Sequence, residues 1–319
     1  MSELQVIVAR KEAETYEICS FELRPLGAHP LPSFSAGAHI DVHVNTHMVR
    51  QYSLCNDPSE THRYLIGVLR DPKSRGGSAA MHEDILVGDI LTISSPKNHF
   101  QLAGTVSHSV LLAGGIGITP LLCMAERLSM TRDSFELHYC TRSEERTAFK
   151  SRIAASSFAS QVLFHFDDRP KSQQFSIEQV LATYRPGTHL YCCGPKGFMD
   201  AVLGFARTHA WPENAVHYEF FAAEVVERDS DEPFEITLAS TGRTVRVEKG
   251  QTVVECLRSV GVDIETSCEQ GVCGTCITRV LGGVPDHRDL FLDRQEQQAN
   301  NVFIPCCSRS KTPSLVLDL

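Results

Sequence analysis

The chain has 319 residues, 42% hydrophobic and 22% charged, a balance that supports two or three packed domains and excludes a disordered chain. A net charge of −9 with the 30 basic residues scattered along the sequence excludes a nucleic-acid groove, which gathers lysine and arginine on one face. No run of 18 apolar residues and no basic-then-apolar leader occurs, so no membrane span or export is expected and the expected location is the cytoplasm.

The first hundred residues break into short alternating strands separated by turns, the pattern of a small β-barrel. One strand, "HIDVHV" (His39 to Val44), precedes "RQYSLCN" (Arg50 to Asn56). An arginine, a tyrosine and a serine spaced this way suit a flavin: Arg50 can pair with phosphate, Tyr52 can lie against the ring face and Ser53 can bond its polar edge, with Gln51 beside them. Four residues alone also fit an ordinary barrel strand. Further on, "SRGGSAAMHEDI" sets Arg75, Gly76, Gly77 and Ser78 before a predicted helix with Ser78 as its N-cap. Free N–H groups and the helix dipole there make an anion site suited to a phosphate.

Next comes "SVLLAGGIGITPLLCMAERL" (Ser109 to Leu128), an apolar run read as a buried parallel strand, then a glycine turn, then a helix. Gly114, Gly115, Ile116 and Gly117 form the predicted turn, with Thr119 as N-cap and Pro120 as first helical residue. Pro120 stands where the dehydrogenase fingerprint has its third glycine, so that fingerprint is not met, and a plain strand-to-helix connection has the same pattern. After the strand "FELHYC", the stretch "TRSEERTAF" falls where a ribose 2′ position is met. Glu144 or Glu145 disfavours a 2′-phosphate there and Arg142 favours one; the balance is toward NADH. A second strand, turn and helix, "LYCCGPKGFMDAV", carries Cys193, Gly194 and Pro195.

Charged "AAEVVERDSDEP" (Ala222 to Pro233) reads as a linker. Beyond it, "PFEITLAS" and "TGRTVRVEKG" form a predicted hairpin about Thr241 and Gly242, "QTVVECLRSVG" a helix closed by Gly261, and "SLVLDL" a last strand. Between them Cys268, Cys273 and Cys276 stand at C-x4-C-x2-C, with 29 residues before Cys306. That is plant-type [2Fe–2S] spacing. Gly271 and Gly274 give the loop freedom to wrap a cluster. Four thiolates also satisfy zinc, whose sites are more often built on x2 knuckles.

These motifs resemble, in order, the RxYS, GGIGITP and CGP motifs of the ferredoxin-reductase superfamily and the β-grasp of plant-type ferredoxins. Over nearly its whole length the chain resembles the phthalate dioxygenase reductase type of oxygenase reductase, with vanillate demethylase reductases as near neighbours. The resemblance implies a multidomain protein. Residues 1–103 would be a flavin-binding β-barrel, 104–224 an α/β nucleotide-binding domain with a parallel sheet, 225–232 a linker, and 233–319 a C-terminal β-grasp [2Fe–2S] ferredoxin domain. It implies FMN rather than FAD, NADH as donor with its nicotinamide near Cys193, and Glu219 and Phe221 of "HYEFFA" at the flavin's edge. The chemistry is then cofactor-mediated, with no side chain acting as acid or base in the first transfer. Electrons would pass to a Rieske-type, non-haem-iron oxygenase. A cytochrome P450 or another one-electron protein as acceptor, or a redox-sensing iron–sulfur protein, are the alternative readings.

Overall fold

The structure, a computed structural model, describes residues 3–45, 48–72, 76–104, 106–221 and 230–319; Arg75 and positions 222–229 of the expected linker lie outside them. The chain divides into two compact units, Met1–Glu219 and Phe220–Leu319. Among the described residues no helix is long and apolar enough to cross a membrane.

The first unit begins with β1 (Glu3–Ala13), β2 (Ile18–Pro25), β3 (His39–Asn45), β4 (Met48–Ser53) and β5 (Tyr64–Leu69), then α1 (Gly77–Glu83) and β6 (Ile90–Ser94). The strands form an antiparallel sheet in the order β4-β3-β6-β1-β2-β5. Just past β4, Leu54 bridges to Ile66 of β5, so the two edges meet and the sheet curls into a nearly closed barrel. Alternation drives this: Val6, Val8, Phe21, Leu23, Ile40, Val42 and Ile66 point inward and bury fully. Each contributes about 1.5–3 kcal/mol by leaving water. Met81 plugs the core from α1, and Lys11 Nζ donates to the carbonyls of His82 and Ile85 near that helix's end.

The second layer of this unit is a parallel sheet of β7 (His108–Gly114), β8 (Phe135–Thr141), β9 (Val162–Phe166), β10 (Thr188–Cys193) and β11 (Val216–Glu219), in the order β11-β10-β7-β8-β9. Its connections carry α2 (Ile118–Thr131), α3 (Lys150–Ala154), α4 (Ile177–Leu181) and α5 (Lys196–Thr208). Helix-covered parallel strands bury both faces, which is why β7 reads as an unbroken apolar run. Barrel and sheet are tied together. The Glu14 carboxylate accepts from Ser20 Oγ (2.8 Å) and from the Phe149 N–H (3.0 Å), and Arg146 pairs with Glu17 at 3.2 Å. A Cβ on Gly67 of β5 would lie 2.8 Å from Thr119 Cγ2 and 3.0 Å from Phe149 Cζ, so only a bare backbone allows this approach.

The second unit has β12 (Phe234–Leu238), β13 (Thr244–Val247), α6 (Val253–Ser259), β14 (Thr278–Gly282), β15 (Pro285–Asp286), α7 (Arg294–Ala299), β16 (Val302–Phe303), β17 (Arg309–Ser310) and β18 (Ser314–Leu317). The main sheet runs β13-β12-β18-β14-β16, with β12 and β18 parallel and α6 packed across it through Val253, Cys256 and Leu257. Thr252 and Glu255 cap α6 reciprocally. The expected hairpin, its Gly242 turn (φ 69°) and the closing strand are all present.

Candidate functional site

In the first unit β4 carries the arginine, glutamine, tyrosine and serine of the flavin motif. Arg50 reaches the glycine turn before α1: a Cβ on Gly77 would stand 2.5 Å from its Nε, and its Nη1 donates to the Val49 carbonyl at 2.7 Å. The two halves of the expected phosphate site therefore meet. The cap differs from expectation. Gly76 takes φ 90°, so the helix begins at Gly77 behind a left-handed glycine, and Ser78 sits in the first turn with its hydroxyl accepting the Asp71 N–H at 3.1 Å. Gln51 turns to Asp41, donating at 2.9 Å, in a structural bond across the sheet. Tyr52 is half-buried against the barrel core, and burial pushes its phenol above the ordinary range against the pull of Arg50.

At the top of β7, Gly115 at φ 54° opens a 3-10 turn, Gly115–Gly117, that runs directly into α2 at Ile118. Thr119 and Pro120 are thus the second and third helical residues instead of cap and first residue, because the turn leaves no extended residue to serve as a side-chain cap. Thr119 Oγ1 donates back to the Ile116 carbonyl at 3.1 Å, and Pro120 still lies where a helix has N–H groups to spare. Against this turn lies the second glycine loop. A Cβ on Gly117 would fall 2.2 Å from the Cys193 carbonyl oxygen, and one on Gly194 would fall 2.8 Å from Phe198 Cδ1 and 3.0 Å from the Gly114 Cα. A Cβ on Gly114 would meet Pro195 Cδ at 2.9 Å.

The barrel and the sheet meet at Glu219. Ser53 Oγ donates to its Oε2 at 3.3 Å, and the β10–β11 register sets it opposite Cys193. Burial pushes the Cys193 thiol well up, with the Glu219 charge adding to it, so this cysteine is a neutral wall and no nucleophile. Glu219 shows some surface, but its carboxylate faces inward, and burial pushes it up to about 7 against the Ser53 hydrogen bond. Between pH 4.5 and 7 the folded chain then keeps a proton that the unfolded chain loses, so stability falls as pH rises through that window. Glu219→Gln should therefore melt above the parent at pH 8, by about 1–2 kcal/mol after discounting for solvent, and match it near pH 4.5. Thermal melts at both pH values check this; a gap that does not change with pH excludes the shift.

Of the other expected residues, Arg142 is exposed just past β8. Glu144 is engaged by Lys150 and, at 3.4 Å, by Arg169. Phe221 belongs to the second unit, Phe220–Leu319.

In the second unit Cys268, Cys276 and Cys306 are buried and Cys273 is half-buried. Cys268 lies beside Cys273, and Cys306 lies beside both Cys276 and Cys307. The hydrogen bond from Cys268, helped by Thr275, pulls the Cys273 thiol down although burial opposes it. Among the described residues no three such side chains are arranged to hold a single metal ion. Four thiols at this spacing would hold a [2Fe–2S] cluster, and C-x4-C-x2-C suits that group better than the x2 knuckles of zinc sites. Gly271 (φ 72°) and Gly274 (φ 71°) use the expected freedom. Gly274 also admits the Phe291 ring, whose Cζ would lie 2.2 Å from a Cβ there. The Gln270 N–H points at Cys268 Sγ at 3.3 Å. Cys307 Sγ turns to the Ile304 carbonyl at 3.7 Å.

Residues 236–311 match the family model described as "2Fe-2S iron-sulfur cluster binding domain", and residues 93–216 match "Dimethylamine monooxygenase subunit DmmA-like, N-terminal domain". The chain is 53% identical over 317 residues to a vanillate O-demethylase oxidoreductase of Pseudomonas putida, covering 99% of this chain and 100% of that one. The solved structure titled phthalate dioxygenase reductase, a modular structure for electron transfer from pyridine nucleotides to [2Fe–2S], aligns with TM-score 0.83 at 38% identity, covering 100% of this chain and 98% of that one. This chain belongs to the oxygenase-reductase family. An intact type IV self-sufficient cytochrome P450 monooxygenase also aligns, with TM-score 0.78 at 36% identity, over 99% of this chain but 41% of that one. Several residues that shape this reductase have no local signal: Gly67 and Phe291 act through partners distant in sequence, and Phe198 reaches Gly114 as well as its neighbour Gly194.

Proposed function

We propose that the chain is an NADH-dependent reductase that delivers electrons singly, by way of FMN and a [2Fe–2S] cluster, to a Rieske-type oxygenase component in the cytoplasm. Residues 1–103 serve as the FMN barrel, 104–224 as the NAD domain, 225–232 as the linker and 233–319 as the ferredoxin domain. Together the bound flavin and cluster supply the conversion of a two-electron donor into one-electron delivery. Arg50, Arg75 and the Gly76–Ser78 turn bind the flavin phosphate. Tyr52 offers a ring face, while Ser53 and Glu219 hold a hydrogen bond at the flavin's polar edge. Gly114 to Gly117, Thr119, Pro120 and Arg142 receive the dinucleotide, and Cys193, Gly194 and Pro195 wall its nicotinamide end. Cys268, Cys273, Cys276 and Cys306 hold the cluster.

The observation that carries this reading is the convergence of Ser53, Cys193 and Glu219, which brings the flavin motif to the end of the nucleotide sheet. A cytochrome P450 as acceptor is the second reading, favoured by the likeness to the P450 monooxygenase chain. Acid extraction should release FMN, and flavin reduction should be at least about tenfold faster with NADH than with NADPH, since one unfavourable charge contact of about 1.4 kcal/mol suffices for that ratio. FAD in the extract or a preference for NADPH overturns the corresponding half. Parallel assays of NADH consumption with a purified Rieske oxygenase and a purified P450 decide the acceptor.

A further inference from the structure

Glu269 follows the first cysteine of the cluster loop and has φ 49°, in the left-handed region that disfavours residues with a Cβ. Of the other described non-glycine residues with positive φ, Arg132, Ala210 and Asn300 each lie within two residues of a helix C-terminus, where such a turn is ordinary, and Phe149 stands directly before the first residue of α3. Glu269 has no helix to end. A strained backbone of this kind persists only where its surroundings hold it.

Two side chains do so. Glu269 Oε1 accepts from Arg258 Nη2 at 3.0 Å and from Thr266 Oγ1 at 3.2 Å. Arg258 stands in the last turn of α6, whose capped start and buried Val253, Cys256 and Leu257 anchor it to the sheet. The left-handed turn has a direct consequence: it swings the next peptide so that the Gln270 N–H meets Cys268 Sγ at 3.3 Å, and the Val272 N–H faces the same sulfur. Donors at ligand sulfurs favour the more negative, reduced state of an iron–sulfur centre.

We propose that Arg258 and Thr266 are positioning residues for the cluster: by gripping Glu269 they hold the turn that aims the Gln270 N–H at Cys268, and thereby raise the cluster's reduction potential. This rests on the reading of Cys268, Cys273, Cys276 and Cys306 as [2Fe–2S] ligands. The 42% exposed side chain of Arg258 adds a Coulomb contribution of the same sign, so its variant alone does not separate aim from charge. Thr266 carries no charge and separates them.

The test is a redox titration of the full-length holoprotein, followed by EPR and visible absorbance, for Arg258→Met and Thr266→Val at 0.1 M and 1 M salt. Both variants should disfavour the reduced cluster, Arg258→Met by about three- to tenfold, where tenfold is 59 mV for one electron, and Thr266→Val by less. Because the Debye length falls to about 3 Å at 1 M salt, a shift due to aim survives there. Potentials within twofold of the parent in Thr266→Val, or an Arg258→Met shift that vanishes at 1 M salt, overturn the proposal. Should Arg258→Met fail to load its cluster, Thr266→Val decides alone. A parent protein without a [2Fe–2S] spectrum defeats the cluster reading, and this inference with it, which is a different result from loaded variants with unmoved potentials.

Discussion

Cys273→Ser should abolish the cluster's EPR and visible signals while NADH still bleaches the flavin at the parent's rate. A small dye that takes electrons from flavin should still be reduced, and delivery to the oxygenase should fall by about 10³-fold or more, the scale at which loss of a required redox group is felt. The physical basis is separation. Cys273 lies in the second compact unit, whereas Arg50, Gly117, Cys193 and Glu219 all lie in the first. Cys306→Ala should behave in the same way, since Cys306 lies beside Cys276, and Cys307→Ala should keep the cluster, since the Cys307 thiol, though beside Cys306, donates to the Ile304 carbonyl. Stopped-flow absorbance with EPR reads each step. Normal oxygenase reduction by the cluster-free variant would require a different electron path.

Gly117→Ala should damage the other half of the protein. Its φ of −61° is open to alanine, so the effect is steric: the new methyl would stand 2.2 Å from the Cys193 carbonyl oxygen, 2.4 Å from its carbon and 2.7 Å from the Gly194 nitrogen. Backbone atoms cannot swing aside, and the two glycine loops must part. Overpacking of this kind costs about 1–3 kcal/mol, and a displacement of about 1 Å at a hydride-transfer geometry costs about 10²-fold in rate. Gly115→Ala makes the contrast: nothing lies within 4 Å of its Cβ, but φ 54° adds a backbone penalty of about 1–2 kcal/mol without driving any neighbour away. Thermal melts and the rate of flavin reduction by NADH separate the two. A near-parent rate in Gly117→Ala would mean that the loops are not held at this spacing during transfer.

Much of this is legible in the sequence, because the signals are local. Strand alternation exposed the barrel, the unbroken apolar run exposed β7, and cysteine spacing with Gly271 and Gly274 exposed the cluster loop. Helix starts were less legible. Ser78 and Thr119 have the chemistry of caps, but Gly76 and Gly115 adopt positive φ and begin their turns earlier, a backbone choice that side-chain pattern does not record. Least legible were the close approaches of Gly67 to Thr119, Gly117 to Cys193 and Gly274 to Phe291, since each depends on two segments that meet only after folding. Glu269 gave no warning either, because glutamate has no preference for a left-handed turn.

The ties between barrel and parallel sheet bear on how hydride donor and acceptor come to be spaced. Glu14 receives the Phe149 N–H, Arg146 reaches Glu17, and Gly67 beds directly onto Thr119 of the nucleotide helix. A sliding of one layer across the other would break all three at once, so these contacts act as a jig that opposes shear between the barrel and the parallel sheet.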